Sequence, residues 1–316
     1  RATLASEDEC EIFSPAPAQG TARLRRAIAH HLRGTRGMNV DPDNIVIGAG
    51  AQLLDTMLVQ LLGADKVYAV EDPGYLRLTR IYQAMGCKVR HIPLDDEGVD
   101  LSTLQKSGTD VLHLMPSHQY PTGAVMTIGR RAELLRWAER EPDRYLIEDD
   151  YDSEFRYRGK PIPSLQSSDE KGKVIYIGTF SKAIAPAIRV SYMVLPGDLL
   201  DIYRRDCSFY SCTVSRIDQR ILNEFIRDGY FERHLNKMRM RYRAKHDLLL
   251  AGLDRPHGIL AKEELEKIPL LNRWMKLLGC VFVQRDDVRA SVRALNDATA
   301  IVESGRSFVI FPEGTR

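Results

Sequence analysis

The chain has 316 residues, 44% of them hydrophobic and 28% charged, with a net charge of +2. Such values suit a globular protein of one large domain or two ordinary ones, and so small a charge does not by itself imply a nucleic-acid surface. No apolar run reaches the roughly 20 residues that cross a bilayer, and no signal peptide opens the chain. Five scattered cysteines (Cys10, Cys87, Cys207, Cys212, Cys280), none in a C-x-x-C pair, argue against zinc or a disulfide framework and for a reducing cytoplasm. The chain opens on Arg1 and stops at Arg316 inside a motif, so both ends read as cut.

Residues 1–20 are polar and proline-rich and read as an irregular lead-in. From Thr21, the apolar residues Leu24, Ala27, Ile28 and Leu32 recur at helical spacing. Strand-like and helix-like segments then alternate. Ile45–Ile47 is a short apolar run before a helical pattern over Ala51–Leu62. Val67–Val70 precedes a helix after Pro73, and Cys87–Ile92 runs to a turn at Asp95-Asp96-Glu97-Gly98. Val111–Met115, Tyr145–Ile147 and Val174–Ile177 read as buried strands, with a helix over Arg130–Glu139 among them. After Pro196 the pattern is helical as far as Leu253. The alternation predicts an α/β domain on a mostly parallel sheet, whose ligands bind beyond the carboxyl ends of the strands.

Four segments at those strand ends carry chemistry. In Tyr176-Ile177-Gly178-Thr179-Phe180-Ser181-Lys182 a strand ends in hydroxyls and a lysine, with Arg189 seven residues later. A lysine amine can form a Schiff base with the aldehyde of pyridoxal phosphate (PLP), and hydroxyls with a guanidinium can hold its phosphate. A surface lysine on a loop is the competing reading. Leu146-Ile147-Glu148-Asp149-Asp150-Tyr151-Asp152 opens from a strand into carboxylates, one of which could pair with a pyridinium nitrogen, or the run is a solvated acidic turn. Gly48-Ala49-Gly50-Ala51-Gln52 is either a phosphate-binding helix N-terminus or a tight turn between strand and helix. Glu71-Asp72-Pro73-Gly74-Tyr75-Leu76-Arg77 offers a tyrosine to stack on a ring and an arginine for a carboxylate, and also reads as a capped helix start.

Taken in order, these segments resemble the aminotransferase-type domain of the MocR/GabR family of bacterial regulators. Pro116-Ser117-His118-Gln119-Tyr120-Pro121-Thr122-Gly123, Asp149 through Tyr157, and Gly229-Tyr230-Phe231-Glu232-Arg233-His234-Leu235 match as well. The resemblance implies a fold-type-I PLP transferase large domain over residues 21–254, with PLP as cofactor. It implies that Lys182 carries the Schiff base, Asp149 pairs with the pyridine nitrogen, Tyr151 bonds the phenolic oxygen and Tyr75 stacks on the ring. Gly50, Ala51, Gln52, Thr179, Ser181 and Arg189 would surround the phosphate, and Arg77 would meet a substrate carboxylate. Asp150 stands as the alternative to Asp149. The implied partners are an amino-acid or amine ligand and a second copy in a homodimer. The family's DNA-binding domain is not in this chain, so no nucleic-acid contact is expected of it. Tyr120 stands where many aminotransferases have asparagine, and Ala49 where the family often has serine. The resemblance does not decide between an effector-sensing domain and an amino-acid aminotransferase.

From about Asp254 the resemblance ends. Gly279-Cys280-Val281-Phe282-Val283-Gln284-Arg285 and the closing Phe311-Pro312-Glu313-Gly314-Thr315-Arg316 resemble the acyltransferases that acylate lysophosphatidic acid. That likeness implies that Arg285, Glu313, Gly314 and Arg316 contact a phosphate-bearing acceptor, and makes residues 255–316 a short foreign α/β fragment. The family's His-x-x-x-x-Asp motif is missing, because Lys262 stands five residues after His257. An acyltransferase-related function is therefore the alternative that rests on the tail alone, without an evident base. No metal site is expected.

Overall fold

Apolar β-branched runs bounded by turn residues become the strands of a central sheet. The computed structural model describes residues 13–155, 162–253, 257–262, 280–283, 288–303 and 307–309. Helix α1 (Ala22–Arg36) ends at Gly37, whose φ of 69° suits glycine and whose N–H bonds back to Leu32. Strand β1 (Ile45–Gly48) leads into α2 (Ala51–Leu62), and β2 (Val67–Asp72) into α3 (Leu76–Ala84). Next come β3 (Lys88–Asp95), β4 (Gly98–Val99), α4 (Leu101–Lys106), β5 (Val111–Leu114) and α5 (Ile128–Glu139). Then follow β6 (Tyr145–Asp150), β7 (Val174–Thr179), β8 (Ser191–Val194), α6 (Gly197–Asp206), α7 (Arg216–Arg227) and α8 (Tyr230–Leu253). The helical stretch expected after Pro196 is thus three helices. Ser215 caps α7 by accepting from the Asp218 N–H.

The eight strands lie in the order β1-β8-β7-β6-β5-β2-β3-β4. Strands β7, β6, β5, β2 and β3 are mutually parallel, while β8 runs antiparallel to both β7 and β1. Helices cover both faces, as a mostly parallel sheet requires. On one face Ile147, Ile175, Ile177 and Met193 pack with Leu54 and Leu58 of α2, Tyr82 of α3 and Tyr203 of α6. On the other, Tyr176 and Val194 pack with Leu24, Ile28 and Leu32 of α1, and Leu112, Leu146 and Val174 with Leu134 and Trp137 of α5. This is the α/β architecture with a mostly parallel sheet that the alternation predicts. Strand β8 and the short α4 and β4 are additions to it.

The chain divides into two compact units, Arg1–Arg239 and Met240–Arg316. In the second, β9 (His257–Lys262) is the middle of a three-stranded parallel sheet, flanked by β10 (Val281–Val283) and β11 (Ser307–Val309). Helix α9 (Val288–Glu303) sets Ala294, Ala298 and Ile301 against Val281. Arg285, Glu313, Gly314 and Arg316 lie outside the described residues. Among the described residues no helix is long and apolar enough to cross a membrane.

Candidate cofactor site

The site is built at the carboxyl ends of the parallel strands, on the face covered by α2. Side chains alternate along a strand, so the odd positions of β5 and β6, and of β7 beside them, look to that face. Ile147 and Asp149 are two apart on β6, Val111 and His113 on β5, and Ile177 and Thr179 on β7. In each case the first residue is core and the second polar. Where the core ends, a cavity of about 580 Å³ opens. Its lining brings together Ala51, Gln52, Tyr75, Arg77, Asp149, Tyr151, Thr179, Ser181, Lys182 and Arg189, all singled out from the sequence. Asp55, Leu78, Met115 and Tyr120 complete the wall.

One end of the cavity suits an anion. Helix α2 points its N-terminus there, where the first N–H groups of a helix lack partners within it. Gly50 precedes the helix with φ 102°, and a Cβ built on it would come within 2.3 Å of the Arg189 guanidinium. The backbone and the guanidinium therefore approach as only glycine permits. The Thr179 hydroxyl accepts from the Ser191 hydroxyl at 2.8 Å and from the Ser181 N–H at 3.2 Å. Ser181 donates to the Ile188 carbonyl.

The floor is acidic. Asp149 Oδ2 is 3.6 Å from His113 Nε2, and His113 Nδ1 is 2.7 Å from the Tyr82 hydroxyl. Burial alone would lower the pKa of His113, but Asp149, Asp55 and Glu71 outweigh it and hold the imidazole above its ordinary value. Asp55, 2% exposed, is pushed up to about 7 by burial, with His113 opposing and Asp149 adding to the rise. Glu71 is likewise pushed up to about 7 by burial, against the hydrogen bonds it accepts from the Met115 N–H and from Gln119.

Asp150 faces the other way. Its carboxylate lies 2.8 Å from Arg36 Nε and accepts from Tyr176 at 2.6 Å and Ser153 at 2.8 Å. Glu148, on the same side, accepts from the N–H groups of Leu165 and Gln166. Asp149, not Asp150, is the carboxylate the cavity sees.

The rim is aromatic and cationic. Tyr75 meets Tyr120 edge to face at 5.8 Å. Gln119, 4% exposed, donates to the carbonyls of Pro73 and Tyr120 and ties together the two loops that carry these rings. Lys182 Nζ lies 4.4 Å from the Tyr151 ring centroid. Burial first, then the nearby Asp152 and Asp149, raise the Tyr151 phenol above its ordinary value. Three contributors escaped the sequence reading. Asp55 and His113 are polar residues on apolar faces of a helix and a strand, a visible signal. Asp152 stood in a matching phrase without a role.

Residues 5–275 match the family described as aminotransferase class I and II. The chain belongs to that family. An uncharacterized HTH-type transcriptional regulator, YdeL of Bacillus subtilis (strain 168), is 41% identical over 248 residues, covering 78% of this chain and 53% of its own. The probable rhizopine catabolism regulatory protein MocR of Rhizobium meliloti is 35% identical over 233 residues, covering 73% and 47% respectively. The crystal structure of Pyrococcus horikoshii kynurenine aminotransferase in complex with PMP superposes with a TM-score of 0.71 at 28% identity, covering 80% of this chain and 65% of that one. The fold is thus that of the fold-type-I aminotransferases, and the regulators of MocR type are its relatives. The chain spans about half the length of the curated relatives it matches. Residues 243–316 are similar to the acyltransferase family.

Proposed function

We propose that this aminotransferase-like domain binds PLP through Lys182 and uses it to sense an amino acid or other primary amine, as part of a MocR/GabR-type regulator. The observation that carries the reading is the single cavity that holds Lys182, Asp149, Tyr151 and Arg189 beside the N-terminus of α2. The residues fit the group. The α2 N-terminus with Thr179, Ser181 and Arg189 would hold a phosphate, and Gly50 leaves the room that a side chain would fill. Asp149 would hold the ring nitrogen, with His113 Nε2 behind it, 3.6 Å from its Oδ2. Tyr151 would donate to the phenolic oxygen, Tyr75 would lie against the ring, and Lys182 would hold the aldehyde carbon. Arg77 would orient the carboxylate of an amino acid. When bound, PLP supplies an electron sink for the ligand's α-carbon. Residues 21–254 form the proposed functional region, in a cytoplasmic setting.

A second reading, turnover as an amino-acid aminotransferase, has the kynurenine aminotransferase superposition in its favour. One experiment addresses both. PLP is added to the purified chain, the absorbance is scanned, and the adduct is fixed with borohydride and mapped. Attachment at Lys182 is expected. An adduct on another lysine, with Lys182 unmodified, would sink the assignment. Adding amino acids then separates the two readings: a stable spectral change means sensing, and release of a keto acid means turnover.

A further inference from the structure

Lys182 does not stand alone in the cavity. Its Nζ is 3.1 Å from Asp152 Oδ2. The two ends differ in burial, with the Asp152 side chain 9% exposed and the Lys182 side chain 52%. The same Asp152 oxygen is 2.7 Å from His118 Nδ1, so two donors converge on it. His118 stacks on the Tyr151 ring with 17° between the planes and 6.0 Å between the centroids. Asp152 and His118 also line a neighbouring cavity of about 280 Å³ with Arg36 and Ser117. A carboxylate buried and held from behind by a histidine is a fixed point, and the long lysine comes to it.

We propose that Asp152, braced by His118, is the resting place of the Lys182 amine whenever that amine is not bonded to the cofactor. Asp152 is then a positioning residue for cofactor capture and for ligand exchange. The inference rests on the reading that PLP attaches at Lys182. Capture of an aldehyde needs the lone pair of a neutral amine. An ammonium held by Asp152 must first give up a proton and leave the carboxylate, and water departs as the carbon–nitrogen bond forms. Exchange runs the other way. An incoming primary ammonium first gives up a proton and, as the neutral amine, forms its bond to the same carbon; the bond to Lys182 breaks, and in all two protons pass from the incoming nitrogen to the lysine. Lys182 leaves as an ammonium within reach of Asp152. The ion pair therefore stabilises the displaced lysine and keeps its lone pair from acting as a base. That favours a ligand that stays over one that is converted.

Competitive acetylation of the full chain without PLP, followed by peptide mapping, tests the pair directly. Asp152→Asn is expected to speed acetylation of Lys182 about threefold, the scale of one half-exposed ion pair, with other lysines unchanged. His118→Ala, at a residue whose side chain is 48% exposed, is expected to give a smaller rise of the same sign without disturbing the core. In the PLP-loaded chain, Asp152→Asn should weaken displacement of Lys182 by an amino acid by a similar factor, read from the absorbance change. Equal acetylation in all three chains overturns the proposal even where PLP binds. Faster acetylation in the variants, with no PLP attachment in the unaltered chain, overturns the cofactor reading and with it the role of Asp152 in capture.

Discussion

Two adjacent carboxylates, Asp149 and Asp150, meet different surroundings, the cavity and Arg36, because a strand turns successive side chains to opposite faces. Asp149→Ala is expected to weaken PLP binding by roughly 1.5–3 kcal/mol, the worth of a charge-assisted hydrogen bond. Its effect on folding should be small. Asp150→Ala leaves Arg36, 6% exposed at its side chain, without its closest counter-charge. Removing one partner of a buried pair costs about 3–5 kcal/mol. Denaturant midpoints and PLP titrations on both variants test this, and a larger loss of PLP affinity for Asp150→Ala would reverse the two roles. At Gly50 the demand is on the backbone. Gly50→Ala puts a methyl group on a residue at φ 102° and drives it into Arg189. We expect a loss of PLP affinity of at least about tenfold, as the guanidinium is moved off the phosphate position. Fluorescence titration reads it, and unchanged affinity would remove Arg189 and Gly50 from the cradle.

Where α2, β5 and β6 meet, Asp55, His113 and Asp149 share one desolvated space, with Glu71 of β2 and Tyr82 of α3 facing it. Burial lifts Asp55 from the ordinary carboxylate range to about 7, so the folded chain binds a proton there that the unfolded chain has released. Stability contributed by such a group falls as pH rises from about 4 to about 7 and is level above that. His113, held above its ordinary value, adds a loss of the same sign as pH rises through its folded value. Without PLP the chain should therefore be more stable near pH 5 than near pH 8. Asp55→Asn, which needs no proton to be neutral, should shrink that difference by a few kcal/mol at most. Denaturant midpoints at the two pH values measure it. A pH difference unchanged by Asp55→Asn would show that Asp55 is not the group responsible.

For the molecule as a whole, the chain spans about half of its curated relatives, and two compact units share it. The resemblance predicts a homodimer through the large domain, residues 21–254. Sedimentation should show a dimer, and a strictly monomeric chain that still holds PLP tightly would contradict that. In the second unit β9 carries His257 at its start and Lys262 at its end, where the acyltransferase pattern wants an acid five residues on. The family's pairing of that histidine with an acid, which would position a base for an acceptor hydroxyl, is therefore not made by His257 and Lys262. Incubation with acyl-coenzyme A and lysophosphatidic acid is expected to release no thiol above background. Sustained release abolished by Glu313→Ala would move the functional centre to the tail.

The sequence alone determined the α/β alternation, because buried strands must be apolar and their turns polar or glycine-rich. It also determined the motif positions, since Lys182, Arg189 and the Gly50 turn follow strand ends that local apolar runs reveal. Strand β8, Ser191–Val194, went unrecognised in the sequence. It is a strand through the neighbours it pairs with, β1 and β7. Only the tertiary structure separated Asp149 from Asp150, since register and the position of α1 decide which carboxylate meets Arg36 and which meets the cavity. Only it joined Asp55 to His113, and Lys182 to Asp152 and His118, which stand far apart along the chain. Such groupings depend on distances between elements, and these are set by how the sheet and its helices pack, not by any stretch of local sequence.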